Sequence, residues 1–115
     1  MIQSGLGDAG VDLFVQTADE EETARRFREL TRAWKAGAQF TSSMTELMMH
    51  PAYQQVIGMG PAALPHLIRA LRERPDFWFW ALQAITGETP LPNPAEHTFQ
   101  ENVDAWLEWG RKHGF

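Results

Sequence analysis

The stretch Ile57–Thr89, IGMGPAALPHLIRALRERPDFWFWALQAITGET, decides the fold class of this chain. Its first half spaces the apolar residues of Leu64–Leu71 at i, i+3, i+4 and i+7, which predicts an amphipathic helix over residues 61–74. Pro75 should end this helix, because proline cannot continue it. A second helix is predicted over Phe77–Thr86, and it is apolar on nearly every side. Two consecutive helices predict an all-α domain.

Other segments also carry helical spacing and capping residues. A long helix is predicted from about Asp19 to Ala36, and short helices at Ser42–Met49 and from Pro51 to Ile57. A last helix follows a proline-rich connector, and either Asn93 or Thr98 can cap it. We therefore predict an all-α, compact bundle of five or six helices containing a HEAT-like hairpin. The predicted core comprises Trp34, Tyr53, Leu64, Leu67, Ile68, Leu71, Trp78, Leu82, Ile85, Val103 and Trp106.

The 115 residues fit one domain. Residues 1–16 show no clear periodicity, and we expect an irregular or flexible N-terminal arm there, followed by a single helical domain over residues 17–115. Gly5–Gly10 matches GxGxxG, but phosphate binding requires a strand before this motif and a helix opening at its third glycine. Only four residues precede it. The motif therefore indicates a glycine-rich arm.

Composition narrows the classes of function. The chain has no cysteine, which excludes disulfides, thiolate metal sites and cysteine nucleophiles. Neither a signal peptide nor a membrane-spanning run is recognisable, and we expect a cytoplasmic protein with no membrane partner. The formal net charge of −5 disfavours nucleic acid as a partner, because phosphate binding needs clustered Lys and Arg.

No catalytic or metal-binding motif can be assembled from the sequence. The histidines lack the HExxH spacing of zinc sites, and the serines lack a nucleophile elbow. We therefore predict no enzyme activity, no catalytic residues, no metal and no cofactor. Two alternatives stay open. A small hydrolase or nuclease would use His66, Glu96, His97 and Glu101, and a nucleic-acid binder would use Arg25, Arg28, Arg32 and Lys35.

The aromatic content favours protein binding. Five tryptophans and seven phenylalanines occur in this short chain. Trp78 and Trp80 lie about 200° apart around one helix, so a small core can hardly cover both. Tryptophan, tyrosine and arginine are enriched among the residues that dominate protein interfaces. We predict a non-catalytic protein-binding module, regulatory or neutralising, with a homodimer as an alternative assembly. The predicted partner-binding residues are Tyr53, Arg69, Arg72, Trp78, Phe79 and Trp80.

Residues 60–71, GPAALPHLIRAL, and 81–85, ALQAI, resemble a HEAT-type helical hairpin. A more specific likeness spans about residues 40–115. The segments HPAYQ (50–54), IGMG (57–60), RPDFWFWAL (74–82), ITGE (85–88) and AWLEWG (105–110) resemble a family of small bacterial helical proteins without a settled activity. This resemblance implies one domain and not a solenoid fragment. It also implies an accessory protein of a toxin–antitoxin or defence gene pair.

Overall fold

The computed structural model describes the backbone from residue 2 to residue 115 and the side chains from residue 19 onward. Over these residues the chain forms six α-helices, two 3₁₀ turns and no strand, which confirms the all-α prediction. None of the described helices is both long and apolar enough to cross a membrane. The helices are α1 (Ile2–Ala38), α2 (Met44–Met49), α3 (Pro51–Gly58), α4 (Leu64–Glu73), α5 (Phe79–Thr86) and α6 (Phe99–Lys112).

Helix α1 begins earlier than the sequence predicted. Its backbone is helical from Ile2, whereas the expected start was near Asp19. The segment expected to be irregular, including the glycine-rich motif, therefore falls on helical backbone whose side chains lie outside the described residues. The division into an arm over residues 1–16 and a domain over residues 17–115 stays a prediction.

The core is built around three large rings, two from helices α1 and α3 and one from Trp78, the residue that precedes α5. The ring of Trp78 lies 4.5 Å from that of Trp34 on α1 and 5.3 Å from that of Tyr53 on α3, measured between centroids. The indole N–H of Trp34 donates to the carbonyl oxygen of Leu47 at 2.8 Å, which ties α1 to α2. Every residue of the predicted core is buried except Ile85, which is only partly buried at the edge.

Helix α3 occupies the centre and packs against α1, α2 and α5. Helix α4 packs chiefly on α6, where a Cβ on Gly110 would lie 3.1 Å from Cγ2 of Ile68. The glycine therefore lets the two helices approach closely. The helices of the expected HEAT-like hairpin, α4 and α5, thus pack mainly on other elements, and the resemblance to that family stays a prediction.

The junction of α1 with α3 also depends on a glycine. A Cβ on Gly37 would lie 2.4 Å from Nε2 of His50. The same imidazole accepts a hydrogen bond at Nδ1 from the amide of Ala52 at 3.0 Å, which caps the start of α3. The lack of a side chain at Gly37 therefore leaves room for the capping ring.

The starts of α4 and α6 differ in part from the prediction. Residues 60–63, expected to open α4, form a 3₁₀ turn in which Gly60 has φ +68°. Of the two candidate caps for α6, Thr98 is used: its hydroxyl accepts from the amide of Glu101, and the Glu101 carboxylate accepts from the Thr98 amide. Asn93 instead precedes a second 3₁₀ turn over Pro94–Glu96.

Candidate functional site

The six residues predicted to bind a partner occupy different environments. Tyr53 and Trp78 are fully buried, with Trp78 only 1% exposed. Neither ring protrudes from the surface, so neither can serve as an exposed anchor for a partner, although one edge of Trp78 lines a groove described below. Arg69 and Arg72 are exposed on α4, Phe79 is half-buried, and Trp80 is exposed.

Tyr53 has a structural role that its buried position explains. Its hydroxyl donates to the carbonyl oxygen of Phe77 and accepts from the amide of Ala81, both at 3.0 Å. These bonds fasten the start of α5 to α3. Burial raises the pKa of the Tyr53 phenol, and the negative charge of Asp76 acts in the same direction. The phenol therefore stays neutral and serves as a fixed bridge.

Trp80 is the one tryptophan with an exposed side chain among the described residues, although Phe40 and Met49 are more exposed still. It is 47% exposed, and Phe77, three residues earlier, is 37% exposed. Phe77 and Phe79 pack edge-on against Phe99 at the start of α6, with centroid distances of 4.8 and 5.4 Å. The phenyl rings thus have intramolecular partners, whereas much of the Trp80 ring faces solvent.

A groove of about 420 Å³ lies between α1 and α4. Phe27 and Trp78 form its floor, and both are almost completely buried. Small residues, Ala24 on α1 and Ala70 on α4, leave it open. The volume lies in the range of small-ligand and side-chain pockets. We call this feature the basic groove because of the cationic side chains that line it together with His66, namely Arg28, Arg32, Lys35, Arg69 and Arg74.

The charges of the basic groove are largely uncompensated. Glu73 is the one acid among the lining residues, and Lys35 lies 3.5 Å from a carboxylate oxygen of Asp76. Among the described side chains, none forms an ion pair with the four lining arginines. Arg25, which the sequence grouped with the basic face of α1, instead pairs with Glu22 and Glu29 outside the groove.

Two further lining residues are His66, whose pKa is lowered, and Thr31, whose hydroxyl lacks a hydrogen-bond partner within the described part of the chain. The imidazole of His66 stacks on Phe27 with centroids 5.6 Å apart. Burial lowers the pKa of His66, and the positive charges of Arg69 and Arg28 lower it further. The buried hydroxyl oxygen of Thr31 has no hydrogen-bond partner among the described residues. The groove therefore resists a further positive charge, and the Thr31 oxygen is buried beneath its wall.

The residues of the enzyme alternative are not brought together. His97 and Glu101 face each other at 3.7 Å on the exposed start of α6, and Glu96 is exposed in the preceding turn. His66 instead lines the groove beside α1. Within the described residues, no group of three or more His, Asp or Glu side chains could hold a metal ion.

No protein-family model matches this chain, and no significant match was found among curated proteins or among solved structures. The site is therefore argued from its residues alone. Sequence reasoning identified the basic residues of α1 and Arg69, but it did not place them on facing walls. Arg74 was missed, although it follows Arg69 by five residues near the end of the same predicted helix.

Proposed function

We propose that this chain is a non-catalytic protein-binding module that contacts its partner through the exposed indole of Trp80. The observation that supports this proposal is the 47% exposure of that side chain beside a core that buries the other four tryptophans. Leaving about half of an indole in water forgoes roughly 2–3 kcal/mol of burial free energy. A partner that covers the ring would recover much of this energy.

The role we propose is accessory, regulatory or neutralising, as expected of a partner in a bacterial toxin–antitoxin or defence gene pair. A cytoplasmic setting fits the lack of cysteine in the chain. A binding function also fits the position of the candidate catalytic histidines, since His66 lines the groove and His97 does not.

The test is a capture experiment with immobilised full-length chain and a lysate of the native host. The wild type is compared with Trp80→Ala and with Phe40→Ala as the matched control, because Phe40 is 87% exposed and lies outside α5. We expect saturable retention of one protein by the wild type and by the control, and loss of retention by Trp80→Ala. Phe79→Ala is a poorer probe, since its ring packs against Phe77 and Phe99.

Two outcomes would contradict the proposal. One is that no protein is retained saturably. The other is that the wild type, Trp80→Ala and Phe40→Ala retain the same protein equally. If the partner is a second copy of this chain, sedimentation will show a dimer for the wild type and a monomer for Trp80→Ala. Thermal unfolding of each variant checks that the substitutions leave the fold intact.

A further inference from the structure

We infer that the basic groove between α1 and α4 binds a short acidic segment of the partner protein. The inference rests on the proposed protein-binding function and names the partner's chemistry at a second surface. It is supported by the arrangement of the arginines, by the length of the positively charged strip and by the acids at its ends.

The arginines face the groove from both sides. Arg28 and Arg32 lie one turn apart on α1, and Arg69 and Arg74 line the opposite wall. Guanidinium groups bind carboxylates in a planar, bidentate geometry, and they hold water less tightly than ammonium groups. Carboxylates placed between the walls can therefore accept hydrogen bonds from both helices.

The positively charged strip is the part of the basic groove between Arg28 and Lys35 on α1 and between Arg69 and Arg74 on the facing wall, and it is short. From Arg28 to Lys35 the α1 wall covers eight residues, whose seven steps span about 10 Å at 1.5 Å per residue. The opposite wall is aligned with it, because His66 stacks on Phe27 near one end and Asp76 pairs with Lys35 near the other. This length fits two or three acidic side chains of one segment.

Acids limit the strip at both ends. On α1, Arg25 is neutralised by Glu22 and Glu29, and Asp19–Glu22 are all acidic. At the other end stand Glu73 and Asp76. A long polyanion such as nucleic acid would extend past the strip and meet these carboxylates. A short acidic peptide segment stays within the strip.

The test measures fluorescence anisotropy of a labelled peptide with the purified full-length chain. The probe is a peptide of about ten residues, long enough for two helical turns, with three glutamates. Its control is the same peptide with glutamine at those positions. We expect the glutamate peptide alone to bind, with an affinity that falls as salt is added.

Charge reversal locates the binding. Arg69→Glu should raise the Kd at least about tenfold, because a like charge is placed beside the bound carboxylates. Arg26→Glu is the matched control: it is exposed on α1 and does not line the groove, so its Kd should change less than about twofold. Arg28→Glu tests the facing wall in the same way.

Three results would overturn the inference. They are equal binding of the glutamate and glutamine peptides, equal effects of Arg69→Glu and Arg26→Glu, and tighter binding of a single-stranded oligothymidine or of inorganic tripolyphosphate than of the peptide. If the peptide does not bind but capture from the lysate still depends on Trp80, the inference about the groove is wrong and the proposed function is retained. Loss of all saturable capture by the wild type would instead count against the proposed function itself.

Discussion

The aromatic core and the basic groove share Trp78 but differ in how the polar and charged groups nearest that ring are paired. In the core, the Trp34 indole and the Tyr53 hydroxyl both have backbone partners at 2.8–3.0 Å. In the groove, the Thr31 hydroxyl has no partner among the described residues, and the lining arginines form no ion pairs there. The buried indole nitrogen of Trp109, elsewhere in the core, also has no partner among the described residues, so the two regions differ chiefly in the arginine charges that the groove leaves unpaired.

The largest expected effect comes from removing the ring that the two regions share. Trp78→Ala should lower the free energy of unfolding by about 3–5 kcal/mol, because it leaves a cavity between α1, α3 and α5. Arg69→Ala, in the groove, should change it by no more than about 0.5 kcal/mol. Urea denaturation followed by circular dichroism measures both. A similar loss in the two variants would remove the distinction between core and groove.

A smaller effect is expected from the hydroxyl that fastens α5. Tyr53→Phe keeps the ring but leaves the carbonyl oxygen of Phe77 and the amide of Ala81 without their bonds. Because buried polar groups without partners are costly, we expect a loss of about 1–3 kcal/mol in urea denaturation. Faster amide exchange at Ala81 would show that the loss arises at the start of α5, and unchanged exchange there would contradict the explanation.

The sequence predicted the core far better than the groove. The helical spacing of Phe27, Leu30 and Trp34 and of the α4 leucines indicates buried faces, and these residues are buried. The spacing of Trp78 and Trp80 indicated that one of them would stay uncovered, but only the packing of α5 on α3 shows that it is Trp80. The groove needs the position of α4 relative to α1, which periodicity does not encode.

The hydroxyl of Thr31, unpaired among the described residues, permits a substitution that should raise the free energy of unfolding. Thr31→Val keeps the shape of the side chain and removes the oxygen that lacks a partner. We expect the free energy of unfolding to rise by up to about 1 kcal/mol. Thr31→Ser, which keeps the hydroxyl and loses the methyl group, should not be stabilised. A destabilised Thr31→Val variant would indicate that the hydroxyl is paired in solution.

The smallest effect concerns the pH dependence of stability. The pKa of His66 is lowered in the folded chain from its ordinary value of 6.5, so the unfolded chain binds the proton more readily. The free energy of unfolding should therefore fall as the pH drops below about 6.5. Denaturation at several pH values should show a weaker dependence for His66→Gln than for the wild type. The same dependence in both would assign it to other groups.

Binding of an acidic peptide in the basic groove should raise the pKa of His66 again. Carboxylates placed near Arg28 and Arg69 would offset the positive charges that now disfavour protonation. The affinity for the glutamate peptide should then increase as the pH falls from 7.5 toward 6, and His66→Gln should reduce that increase. Anisotropy titrations across this range measure it, and an affinity independent of pH would place the bound carboxylates away from the imidazole.

The unequal burial of the tryptophans gives this chain an intrinsic optical reporter. Four of the five indoles are shielded, so a water-soluble quencher such as iodide should reach the emission of Trp80 selectively. Any molecule that docks over α5 would protect that emission and shift it to shorter wavelength. Candidate partners can thus be screened with unlabelled protein, and occupancy of the α1–α4 groove can be told apart because it leaves the quenchable fraction unchanged.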